Sequence, residues 1–93
     1  MKYYILKYYL ADDYLESRSI YRKEHLDLAE ELYRNGELIL GGALADPTDE
    51  ALLVFNVDDK SAIERFISKD PYVQNGLVLK WEIREWTVVI GKK

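Results

Sequence analysis

The single histidine of this chain, His25, stands in the run Tyr21-Arg22-Lys23-Glu24-His25-Leu26. Imidazole is the side chain whose ordinary titration falls nearest neutrality, so it suits the carriage of a proton to or from a small molecule. From about Arg18 to Arg34 the apolar residues Tyr21, Leu28, Ala29, Leu32 and Tyr33 recur at helical spacing. His25, four after Tyr21 and three before Leu28, falls in that stripe, so the spacing predicts a helix that aims it at the interior. Acid–base work then needs a carboxylate to orient the ring and an opening for a ligand. Asp70 is the candidate carboxylate, because the Asp70-Pro71 turn holds a side chain rigidly. From the residues alone two readings stay open. His25 is a core or interface histidine and Asp70 closes its turn, or the two form a proton-transfer pair.

Three further groups can contact a ligand near such a pair. Arg22, one turn before His25, has the planar fork that holds an anionic group, although a surface ion pair with a nearby glutamate is the more ordinary use of it. Tyr72 can donate a hydrogen bond to a substrate oxygen, or pack with its hydroxyl at an edge. Gly41 and Gly42 sit inside a predicted strand, where paired glycines mark a bulge or a close approach to the backbone. One histidine and no cysteine do not make a typical transition-metal site, and no metal ligand is assigned. No glycine-rich phosphate loop is present. A serine triad would need Ser17, Ser19, Ser61 or Ser68 beside His25. The acidic pairs Asp12-Asp13, Glu30-Glu31 and Asp58-Asp59 read as solvated faces and caps.

The elements that must position these groups follow from periodicity. Tyr3 to Tyr9 reads as a strand apolar on both faces apart from Lys7, hence central in a sheet. Leu10 to Ser17 reads as a polar connection, with Ser17 or Ser19 capping the first helix and Asn35-Gly36 ending it. Glu37 to Leu44 and Ala51 to Val57 read as a hairpin around the turn Asp46-Pro47-Thr48-Asp49. Asp58 or Asp59 caps a second helix that buries Ala62, Ile63, Phe66 and Ile67 and closes at Asp70-Pro71, with Tyr72 to Gly76 as a connector. In Leu77 to Ile90 the apolar alternation changes phase, odd at Leu77, Leu79, Trp81 and Ile83, even at Trp86, Val88 and Ile90. That shift predicts a break at Arg84-Glu85 and a short fifth strand.

The order β-α-β-β-α-β is the split βαβ of ferredoxin-like folds, an α+β class with both helices on one face of a four-stranded antiparallel sheet. The chain has nothing left for the other face, so a second copy stacked sheet on sheet is expected. Composition points the same way. Ninety-three residues form a single domain, residues 1–93, that buries only about two-thirds of its unfolded surface, and there is no disulfide to help. Eight tyrosines, two tryptophans and two phenylalanines are many rings for one small core. Some are expected to cover a subunit interface or line a pocket. A net charge of −4 without a basic cluster argues against nucleic acid. No stretch approaches the ~20 apolar residues of a membrane span, and Lys7 interrupts the opening run before it can serve as a signal peptide. A soluble, cytoplasmic protein is expected.

Arg22-x-x-His25-Leu26, the glycine-bearing strand after Gly36-Glu37-Leu38, and Asp70-Pro71-Tyr72-Val73, in this order and spacing, resemble the YCII-related (YciI-like) family across nearly the whole chain. The resemblance implies a dimeric α+β barrel of ferredoxin-like subunits and an active site built around the helix histidine and an aspartate. Related barrels include muconolactone-isomerase-like enzymes and small dechlorinating enzymes of aromatic degradation. Many relatives carry glycine-proline where this chain reads Gly41-Gly42-Ala43-Leu44, so its pocket wall departs from the pattern there. The expected function is a cofactor-independent elimination, isomerisation or hydrolysis of a small aromatic or lactone-like metabolite, in a homodimer or higher homo-oligomer. His25 would move a proton, Asp70 would orient it, and Arg22, Tyr72, Gly41 and Gly42 would meet the substrate. The alternative is a non-catalytic module that binds a small ligand, or serves interaction, through the same barrel cavity.

Overall fold

A computed structural model describes residues 1–91. The chain runs β1 (Lys2–Leu10), α1 (Tyr14–Arg34), β2 (Leu38–Ala43), β3 (Glu50–Val57), α2 (Ser61–Lys69), the single turn α3 (Pro71–Gln74) and β4 (Val78–Trp86). The four strands form one antiparallel sheet in the order β2-β3-β1-β4. This is the expected ferredoxin-like α+β topology, with β1 inside the sheet as its two-sided apolar pattern requires.

Alternation decides which face is covered. Tyr4, Leu6, Tyr8 and Leu10 of β1 and Ala51, Leu53, Phe55 and Val57 of β3 are buried against Ile63, Phe66 and Ile67 of α2 and Tyr14 of α1. Burying each large apolar side chain stabilises the fold by roughly 1.5–3 kcal/mol. On the other face Tyr3, Ile5, Tyr9, Leu52 and Val54 are only half-buried, and Leu40 and Trp86 are exposed. The pattern that fixes the register therefore leaves the second sheet face uncovered, where these apolar groups stand among Lys7, Glu50, Glu82 and Arg84.

Four local expectations are corrected. The first helix starts at Tyr14, not near Arg18: Asp13 is its N-cap residue, and Ser17, instead of capping, donates its hydroxyl to the Asp13 carboxylate at 2.8 Å. Burial of the Tyr14 ring draws the polar connection into the helix. The stretch from Tyr72 is not a plain connector but lies in part within the helical turn Pro71–Gln74. The irregularity between β2 and β3 falls between Leu38 and Leu40, ahead of Gly41-Gly42. Finally, β4 continues through Arg84-Glu85, and no fifth strand forms among the described residues. Its bulge lies at the opposite end, where Leu10 pairs with Val78 but Tyr9 with Lys80. Downstream of it Trp81 and Ile83 sit opposite Tyr8 and Leu6, toward the helices, and Trp86 sits opposite Tyr3 on the uncovered face. The phase change is thus a tryptophan placed on the far face, not a slip of register.

Candidate active site

The α2–α3 junction makes the site possible. Proline ends α2 at Asp70, whose extended backbone (φ −72°, ψ 118°) turns the chain sharply into α3. Asp70 Oδ1 accepts the backbone N–H of Tyr72 at 3.0 Å, which caps the new turn. The same oxygen lies 2.8 Å from His25 Nδ1. Oδ2 accepts the Tyr8 hydroxyl at 2.8 Å. Asp70 is therefore both the turn's cap and the partner of His25, the two roles that the sequence left as alternatives. It is completely buried, and three donors converge on its two oxygens. Burial, then the charge and hydrogen bonding of Asp70, pushes the Tyr8 hydroxyl far above the usual tyrosine range.

His25 faces inward as its spacing predicted, with 14% of its side chain exposed. Its ring stacks on Tyr72 with centroids 3.9 Å apart and planes at 11°, and Phe66 meets it edge-on at 6.3 Å. An Nδ1–H donated to a carboxylate leaves Nε2, on the far edge of the ring, with its lone pair. Among the described residues Nε2 has no hydrogen-bond partner. Helix, carboxylate and stacked ring fix the imidazole on three sides.

A pocket of about 210 Å³ opens beside it, lined among others by Tyr8, Tyr14, Arg18, Arg22, His25 and Tyr72. Gly41 and Gly42 border it from β2, so all six residues singled out from the sequence gather here, five on the pocket wall and Asp70 buried behind His25. The two glycines differ. A Cβ at Gly41 would stand 3.2 Å from Leu53 Cγ, whereas one at Gly42 would meet nothing within 4 Å. Burial and the neighbouring Tyr14 push the Tyr72 hydroxyl upward, and the guanidiniums of Arg22 and Arg18 pull the other way. Arg22 makes no ion pair among the described residues, contrary to the surface pairing open to it.

Tyr8, Tyr14 and Arg18 were not singled out from the sequence. Nothing in Tyr8's surroundings marks a contact with a residue 62 positions away. Arg18 did carry a signal, since it precedes Arg22 by one helical turn. The serines go elsewhere: Ser17 to Asp13, Ser19 to Glu16 O, Ser61 to Asp59 and Ser68 to Arg65 O. No group of three or more histidine, aspartate or glutamate side chains among the described residues is placed to hold a metal ion. No helix of the described residues is long and apolar enough to cross a membrane.

Solved structures share this architecture. The 5-chloro-2-hydroxyhydroquinone dehydrochlorinase TftG of Burkholderia phenoliruptrix, solved with 2,5-dihydroxybenzoquinone, superposes with a TM-score of 0.77 at 17% identity, covering 91% of this chain and 93% of that one. An uncharacterized NIPSNAP domain protein from Burkholderia xenovorans gives 0.60 at 18% identity, covering 100% and 99%. An Agrobacterium tumefaciens protein gives 0.62 at 15%, covering 97% and 95%. At these identities the likeness is one of fold. Among curated protein sequences none matches. The YCII-related domain model matches residues 1–87, nearly the full length and every element described above, and the chain belongs to that family.

Proposed function

We propose that this protein is a cofactor-independent acid–base enzyme acting on a small single-ring metabolite bound in the pocket beside His25. The observation that carries the reading is the buried Asp70 carboxylate 2.8 Å from His25 Nδ1, with the opposite nitrogen unpartnered on a ring that lines a cavity. Nε2 takes a proton from substrate carbon or oxygen and returns it to the leaving group or product. Asp70 holds the ring's orientation and its positive charge while the proton is on it, and the Tyr72 face beneath adds a cation–π contact. Tyr8 holds the second carboxylate oxygen, so that Asp70 does not turn away. Arg22 and Tyr72 meet the substrate, and Gly41, without a side chain, leaves it room beside the backbone of Gly42. Elimination, isomerisation and hydrolysis all need this one proton shuttle.

The same reading includes a homodimer. Tyr3, Ile5, Tyr9, Leu52, Val54 and Trp86 lie on the uncovered sheet face beside the ion pair of Lys7 and Glu50, and a second copy would cover it. Val54→Asp should then yield a monomer by light scattering.

The test begins with thermal stabilisation against single-ring metabolites, with 2,5-dihydroxybenzoquinone, the molecule held by the Burkholderia dehydrochlorinase, as first probe. Compounds that raise the melting temperature are then assayed for turnover with the parent protein and His25→Gln. Turnover lost in His25→Gln while the compound still binds supports the reading. Turnover at the parent rate without the imidazole ends it, and binding with no turnover by either protein leaves the chain a ligand-binding module.

A further inference from the structure

Arg18 and Arg22 stand four residues apart on α1, one above the other on the same helix face. Like charges at that spacing repel, and a carboxylate three or four positions away ordinarily relieves them. Here none does. The positions at that spacing from Arg18 hold Tyr14, Leu15, Tyr21 and Arg22, and those from Arg22 hold Arg18, Ser19, His25 and Leu26. Other cations of the same helix are paired: Lys23 reaches Asp27 at 2.8 Å and Arg34 reaches Glu30 at 3.0 Å. Neither Arg18 nor Arg22 has an ion-pair partner among the described residues, in a chain with seventeen acidic and thirteen basic side chains. Both border the pocket that His25 lines, and the Arg18 guanidinium lies 5.4 Å from the centroid of the Tyr14 ring. The helix thus presents two guanidiniums without a carboxylate partner to a pocket that an anion could enter.

We propose that Arg18 and Arg22 form a two-arginine clamp for an anionic group on the ligand, making the substrate class a compact organic anion, one ring bearing a carboxylate or phenolate. The pocket's volume agrees. An engineered protein cavity of about 150 Å³ takes up benzene, so about 210 Å³ holds one substituted ring. The clamp rests on the proposed function for where the ligand sits, but not for what His25 does to it.

Benzoate and benzamide, alike in size and different in charge, are the probes, and the ring signals of the one histidine report binding by NMR. The parent should bind benzoate about a hundredfold more tightly than benzamide at low salt, about tenfold for each of two charge-assisted hydrogen bonds. Arg18→Gln and Arg22→Gln should each weaken benzoate about tenfold, leave benzamide unchanged, and together abolish the preference. Arg22→Gln should also melt no lower than the parent, since it removes a like-charge contact. Equal affinity for the two probes, a preference that survives in the double variant, or His25 signals that benzoate does not move would each overturn the clamp. His25→Gln, followed by calorimetry, should keep the benzoate preference. The clamp and the proton transfer therefore fail by different measurements.

Discussion

The helices α1 and α2 lie on the same side of the sheet and divide the work between them. In α2, nine residues long, Ile63, Phe66 and Ile67 are buried. In α1, twenty-one residues long, Tyr14 alone is fully buried, and Tyr21, Leu28, Ala29 and Leu32 rest half-buried against the core. To the pocket α1 presents Tyr14, Arg18, Arg22 and His25, with Leu26 and Ala29 beside them. A helix that gave its whole inner face to packing could not do this. The short amphipathic α2 anchors the layer, and the long polar α1 carries reactive groups over it.

The largest expected effects separate the two helices most sharply. Phe66→Ala removes a ring that packs on Phe55 and His25. It should cost about 3–5 kcal/mol in urea denaturation. His25→Gln should cost only about 1–3 kcal/mol, one hydrogen bond to a charged group, yet lower turnover by roughly 10²–10⁴-fold. A His25 variant that unfolds as readily as Phe66→Ala, with turnover undiminished, would erase the division.

Asp70 sharpens it, because it belongs to both sides. Asp70→Ala strips a buried site of the acceptor for three donors and should destabilise by about 3–5 kcal/mol. Asp70→Asn keeps an oxygen for the Tyr72 N–H and the His25 Nδ1–H, and its amide can donate to the Tyr8 hydroxyl oxygen. That variant should fold nearly as well as the parent but lose the negative charge that steadies a protonated His25. Turnover should therefore fall by an order of magnitude or more while the denaturation midpoint stays close to the parent's. Undiminished turnover in Asp70→Asn would mean that Asp70 acts only as the turn's cap.

The same division explains what could be read from the sequence. The alternation of β1 and β3 and the apolar side of α2 follow from burial on one face, a property of type and spacing, and they were legible. His25, Arg22, Gly41, Gly42, Asp70 and Tyr72 were legible as a group through the family resemblance, and His25's inward aim through its helical spacing. The first turn of α1 was not, because Asp12, Asp13 and Glu16 look like a solvated loop until Tyr14 finds a ring to pack on 5.5 Å away. The meeting of Tyr8 with Asp70 was equally hidden: it depends on which face of β1 the α3 turn covers, a tertiary fact. Trp86 misled for the converse reason, since an apolar ring on an uncovered sheet face looks in sequence like a change of register.

A smaller effect tests the buried end of the site by pH. Burial and the facing Asp70 hold the Tyr8 hydroxyl far above the ordinary tyrosine range. The folded protein keeps this proton under conditions where an unfolded tyrosine, titrating at about 10, gives it up. Tyr8's contribution is therefore complete below about pH 10 and lost as pH rises beyond it, by up to about 1.4 kcal/mol per pH unit. Tyr8→Phe lacks that proton, so its denaturation midpoint should fall less steeply above about pH 10 than the parent's. Parallel curves would show that the Tyr8 hydroxyl is no more buried than other tyrosines.

The smallest effect lies at the pocket's opposite wall, where the two adjacent glycines of β2 make an internal control. At Gly41 a methyl group would stand 3.2 Å from Leu53 Cγ. Leu53 is itself buried and has to give by a few tenths of an ångström, so Gly41→Ala should destabilise by about 1 kcal/mol, the low end of overpacking. At Gly42 the same methyl meets open space. Replacing a strand glycine there removes only backbone freedom from the unfolded chain, so Gly42→Ala should be neutral or stabilising by up to about 1 kcal/mol. Ligand affinity adds a second reading. Gly41 pairs with Leu53 on the helix-covered face and Gly42 with Leu52 on the uncovered one. A methyl at Gly41 therefore narrows the pocket from within, whereas one at Gly42 points toward the proposed partner subunit. Loss of affinity confined to Gly41→Ala would locate the ligand between α1 and the sheet. Loss confined to Gly42→Ala would move it to the uncovered face, and with it the whole assignment of chemistry to α1.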